Sequence, residues 1–131
     1  MTSLQMPKIQ KSIISRRDEI ISDIQKIVKK KDRVLSHDDQ IRPYETDALT
    51  AYRQSPLLVV LPENVNEVSE ILKYCNENKI KVVPRGAGTG LSGGSLPLAD
   101  CVLISMGKFN QILEVDYINK CVVAQPCVTN L

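Results

Sequence analysis

Aromatic residues and histidine are scarce in this chain, and tryptophan is absent. Its 131 residues include four tyrosines, one phenylalanine and a single histidine, His37. Proteins that hold single-stranded nucleic acid stack its bases on aromatic side chains, so we expect no nucleic-acid partner. Zinc sites combine closely spaced cysteines and histidines, and the four cysteines form no C-x-x-C pair. The composition therefore predicts neither a metal site nor a recognisable catalytic constellation, and His37 is expected to be exposed.

Long hydrophobic runs are also missing. The longest apolar run covers residues 57–61, whereas a transmembrane helix needs about 20 apolar residues. We therefore predict no transmembrane segment, and without a secretory signal a cytoplasmic location follows as the expectation. In a reducing compartment the cysteines are predicted to be small, buried, free thiols: Cys75, Cys101, Cys121 and Cys127.

Positive charge is concentrated near the N-terminus. Residues 1–33 hold nine of the 17 Lys and Arg but only four of the 15 Asp and Glu. Between these charges, isoleucines and Val28 recur at helical spacing over residues 12–31, which predicts an amphipathic helix. We interpret it as a docking helix at the periphery of the fold, with its basic face solvated.

The middle of the chain alternates strand and helix patterns. The apolar run at residues 57–61 predicts a strand that is buried on both faces. Asn64, with Glu67 three residues later, is typical of the start of a helix. The helix is predicted to run to Asn78 with Val65, Val68, Ile71, Leu72 and Cys75 on one face, before a parallel strand at 80–83.

The last third of the chain shows only the sequence pattern of β-strands. Residues 101–106 predict a further strand, and residues 112–125 predict a hairpin with its turn at 118–120. The fold class predicted is α+β with an α/β centre: a small parallel sheet with helices, then the start of an antiparallel subdomain. We divide the chain into a helical arm and lead-in, residues 1–53, and a partial domain, residues 54–131.

Glycine is confined to one part of the chain, and five of the six glycines fall within residues 86–94. Such density lets consecutive N–H groups point into one concavity that can hold phosphate oxygens. Arg85 is the only charged residue between Lys81 and Asp100, and Thr89 and Ser92 add hydroxyl donors. The string therefore predicts an anion-binding loop.

Two common phosphate motifs do not fit this string. A Rossmann motif requires a helix directly after the glycines, and Gly93, Gly94 and Pro97 oppose one. A P-loop requires Gly-Lys-Ser/Thr, whereas the only Gly-Lys pair, Gly107-Lys108, is followed by Phe109. We therefore expect neither a nicotinamide site of Rossmann type nor a kinase or ATPase.

The string Pro-Arg-Gly-Ala-Gly-Thr-Gly-Leu-Ser-Gly-Gly at residues 84–94 resembles the FAD-binding domain of the vanillyl-alcohol oxidase and p-cresol methylhydroxylase (PCMH) type. In particular, it resembles the FAD-linked subunit of glycolate oxidase and its D-lactate dehydrogenase relatives. The similarity covers residues 41–45, 51–53, 56–62, 83–98 and 110–131. The resemblance implies a PCMH-type fold and FAD as cofactor.

The same resemblance implies residue roles. In this family the loop wraps the FAD pyrophosphate through backbone amides, and Ala87-Gly88-Thr89 stand where some members carry a histidine bonded to the flavin. FAD is therefore expected to be non-covalent, and the substrate of the full-length enzyme is expected to be a small 2-hydroxy acid, glycolate or D-lactate. The cofactor-binding residues implied are Pro84, Arg85, Gly86, Ala87, Gly88, Thr89, Gly90, Ser92 and Gly93.

The chain also departs from the family pattern. Members are several times longer, and Cys101 and Cys127 stand where the pattern has glycine. We therefore expect a truncated N-terminal segment that is inactive as an enzyme on its own and is completed by a chain carrying the missing domains. The alternative interpretation is a non-catalytic remnant of a truncated or split gene.

Overall fold

The computed structural model describes residues 6–129, which form a four-stranded sheet with helices and a separate hairpin. One-turn 3₁₀ helices lie at Lys31–Arg33 and Arg42–Tyr44. The helices are α1 (Lys11–Ser15), α2 (Arg17–Val28), α3 (Asp38–Ile41) and α4 (Val65–Glu77). The strands are β1 (Val34–Leu35), β2 (Leu58–Val60), β3 (Lys81–Arg85), β4 (Cys101–Ser105), β5 (Ile112–Asp116) and β6 (Cys121–Ala124).

The four-stranded sheet has the order β1-β2-β4-β3. Strands β2 and β3 are both parallel to β4, which lies between them, so the predicted α/β centre is confirmed. Strand β1, which the sequence did not indicate, pairs antiparallel with β2 through only two residues. All five residues of β4 are buried, because this central strand is covered on both faces.

Helix α2 is part of the main core. Ile20, Ile24 and Val28 are fully buried and belong to the same apolar cluster as Leu58 and Val102. The helix docks on the sheet through its apolar stripe, as predicted, but it is part of the main core and not peripheral to it. The division of the chain at residue 53 stays a prediction.

The predicted helix over residues 12–31 is interrupted at Arg16. The backbone of Arg16 leaves helical geometry, with φ −96° and ψ 13°, and separates α1 from α2. Its guanidinium donates hydrogen bonds to Glu19 and to the side chain of Asn78, the residue after α4. The contact between Arg16 and Asn78 stabilises the break between α1 and α2. Because it joins residues far apart in the sequence, hydrophobic periodicity does not reveal it.

Helix α4 begins as predicted, since the Asn64 side chain accepts a hydrogen bond from the Glu67 N–H at 2.9 Å. Ile71 and Cys75 are buried, but Val65 is 74% and Leu72 45% exposed. The predicted apolar face was therefore too wide. Ile71 and Cys75 belong to the core cluster, and Val68 is half-buried.

The hairpin of β5 and β6 is confirmed, with its turn at residues 117–120. The Asp116 carboxylate accepts the N–H groups of Ile118 and Asn119, both at 3.0 Å, which stabilises the turn. Apolar residues on both faces of the hairpin are exposed, including Leu113 and Val122.

The cysteines are free, but they differ in environment. Cys75 and Cys101 are buried, and burial raises the pKa of each thiol to about 11, so both behave as inert apolar residues. Cys127 is half-buried and Cys121 is exposed. The prediction of burial was therefore wrong for Cys121, because all four residues of β6 are exposed within the described part of the chain. Within residues 6–129, the helices are too short and too polar to cross a bilayer.

Candidate functional site

The glycine loop, residues 86–100, connects the carboxyl end of β3 to the start of β4. It contains no helix, so the argument against a Rossmann site holds in the structure. Pro84 and Arg85 are the last two residues of β3. The other predicted cofactor-binding residues lie in the first half of the loop: Gly86, Ala87, Gly88, Thr89, Gly90, Ser92 and Gly93.

Two glycines of the loop have left-handed backbone geometry. Gly88 has φ +73° and Gly93 has φ +76°, a region that residues with a side chain rarely adopt. Thr89 and Ser92 are exposed on the surface of the same loop. The loop therefore depends on glycine at these two positions for its path.

Most backbone N–H groups of the loop are free of hydrogen bonds to the described protein. Among residues 6–129, no acceptor of the protein receives a hydrogen bond from the N–H groups of residues 87–95. Residues 82–99 also contain no acidic side chain. A run of free N–H donors with no acidic residue in the loop itself is the chemistry of an anion site.

A segment before the sheet packs against this loop. We call residues 45–54 the lead-in segment; the hydrogen bond from Gln54 N to Glu45 O closes it at 2.8 Å. The Ala48 N–H donates to the Gly88 carbonyl at 3.0 Å, and a Cβ placed on Gly93 would lie 3.6 Å from Leu49 Cδ2. The lead-in segment therefore supports the loop at both glycines with positive φ.

Sequence reasoning missed the contribution of this segment to the site. Its one local signal is Asp47, whose Oδ1 accepts the Leu49 N–H at 2.9 Å in a side-chain-closed turn. That pattern predicts a turn. It does not indicate that the turn contacts residues 88 and 93.

Arg85 lies beneath the loop. The residue is only 6% exposed, and its Nη2 donates to the carbonyls of Thr46 at 2.7 Å and Ser95 at 2.8 Å. The guanidinium also lies 5.8 Å from the centre of the Tyr44 ring. Burial lowers the pKa of Arg85 from its ordinary value, although the guanidinium remains charged.

The segment that follows the hairpin also lies against the glycine loop. A Cβ on Gly86 would lie 3.7 Å from the Pro126 carbonyl oxygen. Cys127 follows, with its N–H bonded to the Phe109 carbonyl at 2.9 Å. The idea that the Cys127 side chain crowds a bound flavin stays a prediction.

Asp100 is the last residue of the glycine loop and directly precedes β4. Its carboxylate is 1% exposed and accepts hydrogen bonds from Lys81 Nζ and the Gln10 N–H, both at 2.8 Å. Burial works against the charged form, but the bonds from Lys81 and Gln10 outweigh it and lower the pKa of Asp100.

Asp100 is expected to make the protein sensitive to acid. Because its pKa is lower in the folded state than the ordinary value of about 3.9, its contribution is complete above that value and is lost as the pH falls through the folded pKa. Asp100→Asn should lower the free energy of unfolding at pH 7 by about 1–2 kcal/mol. Urea unfolding at pH 7 and pH 3 measures both effects. An equal loss of stability from Asp100→Asn at both pH values would contradict the assignment.

The fold and the loop define a class of protein, the PCMH-type FAD-binding fold. The solved structure of p-cresol methylhydroxylase with substrate bound matches 88% of this chain and 23% of that chain, with 25% identity and a TM-score of 0.74. 4-Ethylphenol oxidase from Gulosibacter chungangensis matches 95% of this chain and 24% of that chain, with 21% identity and a TM-score of 0.76. The predicted fold is confirmed.

Sequence comparison gives the family. Residues 56–131 match the family described as FAD binding domain, and the chain belongs to this family. Glycolate oxidase subunit GlcD of Escherichia coli (strain K12) is 49% identical over 98 residues, which are 75% of this chain and 20% of the relative. The mitochondrial D-2-hydroxyglutarate dehydrogenase of Arabidopsis thaliana is 38% identical over 92 residues, which are 70% of this chain and 16% of the relative.

These matches confirm the resemblance to the glycolate oxidase and D-lactate dehydrogenase group and the prediction of FAD as the cofactor of the family. The chain spans about a fifth of the length of these curated relatives.

Proposed function

We propose that this chain is the FAD-binding N-terminal segment of a 2-hydroxy-acid oxidoreductase that acts on glycolate or D-lactate. In this proposal the glycine loop binds the pyrophosphate of FAD. The observation that carries it is the run of N–H groups at residues 87–95, which donate to no acceptor within the described part of the chain.

The chemistry of the loop fits a pyrophosphate. Its anionic oxygens need several donors at once, and consecutive backbone N–H groups supply them without the side-chain entropy that flexible residues lose. Thr89 and Ser92 are exposed on the loop and add hydroxyl donors, and no carboxylate between residues 82 and 99 repels the anion. The predicted binding residues 84–90, 92 and 93 therefore remain our proposal for the site.

The binding is proposed to be non-covalent. Residues 87–89 are alanine, glycine and threonine, and none of them offers an imidazole to bond the flavin. When FAD is bound, its isoalloxazine ring accepts the hydride from the substrate carbon.

The substrate class is proposed from the names of the relatives. The Escherichia coli relative is named for glycolate oxidation and the Arabidopsis thaliana relative for D-2-hydroxyglutarate oxidation. Both compounds are 2-hydroxy acids, which supports this substrate class for the complete enzyme. A complementing polypeptide carrying the remaining domains and a cytoplasmic location stay predictions.

Ligand competition tests the proposed site. The purified chain is incubated with FAD, separated by gel filtration and examined for flavin absorbance, and then challenged with ADP or riboflavin. ADP contains the pyrophosphate and riboflavin does not, so ADP is expected to displace FAD and riboflavin is not. Displacement by riboflavin alone would place the flavin ring, rather than the pyrophosphate, on this chain.

The second candidate function is a non-catalytic remnant of such an enzyme. Cys127 favours it, because this residue carries a side chain next to Pro126, whose carbonyl lies against Gly86. A chain that elutes without flavin and binds no ADP would support the remnant. Retention of flavin by the wild-type chain would reject it.

A further inference from the structure

Two charged side chains are buried at the base of the glycine loop. Arg85 and Asp47 are each only 6% exposed. Among residues 6–129, Arg85 Nε and Asp47 Oδ2 are buried atoms without a hydrogen-bond partner. Burying charged groups without all of their hydrogen bonds costs free energy of folding. The presence of both groups at this position therefore indicates that they have a structural or functional role.

The contacts of Arg85 join three parts of the chain. Its Nη2 donates to Thr46 in the lead-in segment and to Ser95 in the second half of the glycine loop. A Cβ on Gly88 would lie 3.7 Å from both Cδ and Nε of Arg85, so the arginine side chain packs directly under this glycine. One side chain from the end of β3 therefore connects both halves of the loop to the lead-in segment.

Asp47 supports this arrangement in two ways. Its Oδ1 accepts the Leu49 N–H, which forms the turn that brings Ala48 to the Gly88 carbonyl. Its negative charge favours the charged guanidinium and opposes the burial that lowers the pKa of Arg85. Arg85 and Asp47 thus act on the same contact from opposite sides.

We propose that Arg85 and Asp47 are positioning residues that set the shape of the glycine loop, and that Arg85 acts on the phosphate through this shape rather than through its charge. This inference rests on the proposed function, since it concerns how the loop holds a pyrophosphate. It assigns the binding itself to the main-chain N–H groups of the loop.

The two possible roles of Arg85 respond differently to salt and to lysine. A direct ion pair with phosphate is screened by salt, and lysine at the same place retains its charge. A clamp on two carbonyls requires the planar fork of arginine, which lysine does not reproduce. The variants are therefore Arg85→Lys and Arg85→Met, with Arg53→Ala as the control because Arg53 is exposed on the lead-in segment.

ADP affinity at low and high salt is measured for each variant. We expect Arg85→Lys and Arg85→Met to lose at least about tenfold in ADP affinity, with the salt dependence of wild type, and Arg53→Ala to bind as wild type. Wild-type affinity in Arg85→Lys, or a flatter salt dependence in Arg85→Met alone, would overturn the proposal in favour of direct charge contact.

Amide hydrogen exchange tests the clamp without a ligand. In Arg85→Met the Ala48 N–H, which is bonded to Gly88, is expected to exchange at least about tenfold faster than in wild type. Amides of β4 such as Leu103 should be unchanged, because Arg85 pairs with β4 through its backbone and not through its side chain. Unchanged exchange at Ala48 would overturn the proposal.

Asp47→Ala provides a second variant if Arg85→Met exposes the whole sheet to exchange. It removes the carboxylate that accepts the Leu49 N–H and forms the turn, so faster exchange at Ala48 is again expected, and its absence would equally overturn the clamp. If the wild-type chain binds neither FAD nor ADP, the proposed function fails, while the exchange experiment still decides whether the clamp exists.

Discussion

Replacing Gly88 with valine is expected to abolish binding of FAD and ADP. Gly88 has φ +73°, where a β-branched residue is strongly disfavoured, and forcing it there costs roughly 1–3 kcal/mol. The added side chain would also lie against Arg85, within 3.7 Å of its Cδ at the first carbon alone. Since about 1.4 kcal/mol corresponds to a tenfold change, this strain alone should lower affinity by about 5- to 100-fold even before the phosphate is blocked.

Gly94→Val is the matched control for this experiment. Gly94 is in the same loop, but its φ is not positive and a Cβ there would meet no atom within 4 Å. Isothermal titration with ADP, together with circular dichroism to verify folding, compares the two variants. Equal affinity of Gly88→Val and wild type would show that the phosphate does not lie on this loop.

Shortening Ile24 to alanine is expected to destabilise the protein by about 3 kcal/mol, within the range for buried isoleucine and leucine positions. Ile24 is fully buried and packs in the cluster that also contains Leu58 and Val102 of the sheet. A domain of this size is stabilised by only about 5–15 kcal/mol in total, so the loss is a substantial part of it.

Urea unfolding of Ile24→Ala and of the control Leu72→Ala measures this effect. Leu72 is 45% exposed on α4, and its truncation is expected to cost less than about 1 kcal/mol. Matching midpoints for the two variants would mean that helix α2 is not part of the cooperative core.

Local patterns predicted much of the secondary structure. The apolar run at 57–61, the cap at Asn64 and the hairpin turn near Asn119 each depend on a few neighbouring residues, and each is present in the structure. Strand β1 was not predicted, because two residues are too few to show the alternation of apolar and polar side chains that indicates a strand. Its pairing with β2 is a contact between distant segments.

The burial of helix α2 illustrates a different limit. Periodicity shows that a helix has an apolar stripe, but it does not show whether that stripe meets a core. The exposed Val65 and Leu72 on α4 are the converse case, since their apolar character predicted contacts that the fold does not make.

The sequence by itself determined the order from β2 through α4, β3 and β4 to the hairpin, the clustering of glycine at residues 86–94 and the absence of acidic residues between residues 82 and 99. These follow from composition and short-range spacing, which act before the chain is packed. The tertiary structure alone decided that β4 lies between β2 and β3, that the lead-in segment supports Gly88, and that Arg85 points beneath the loop. Each of these depends on groups far apart in the chain, whose contacts are selected by the packing of the whole fold rather than by neighbouring residues.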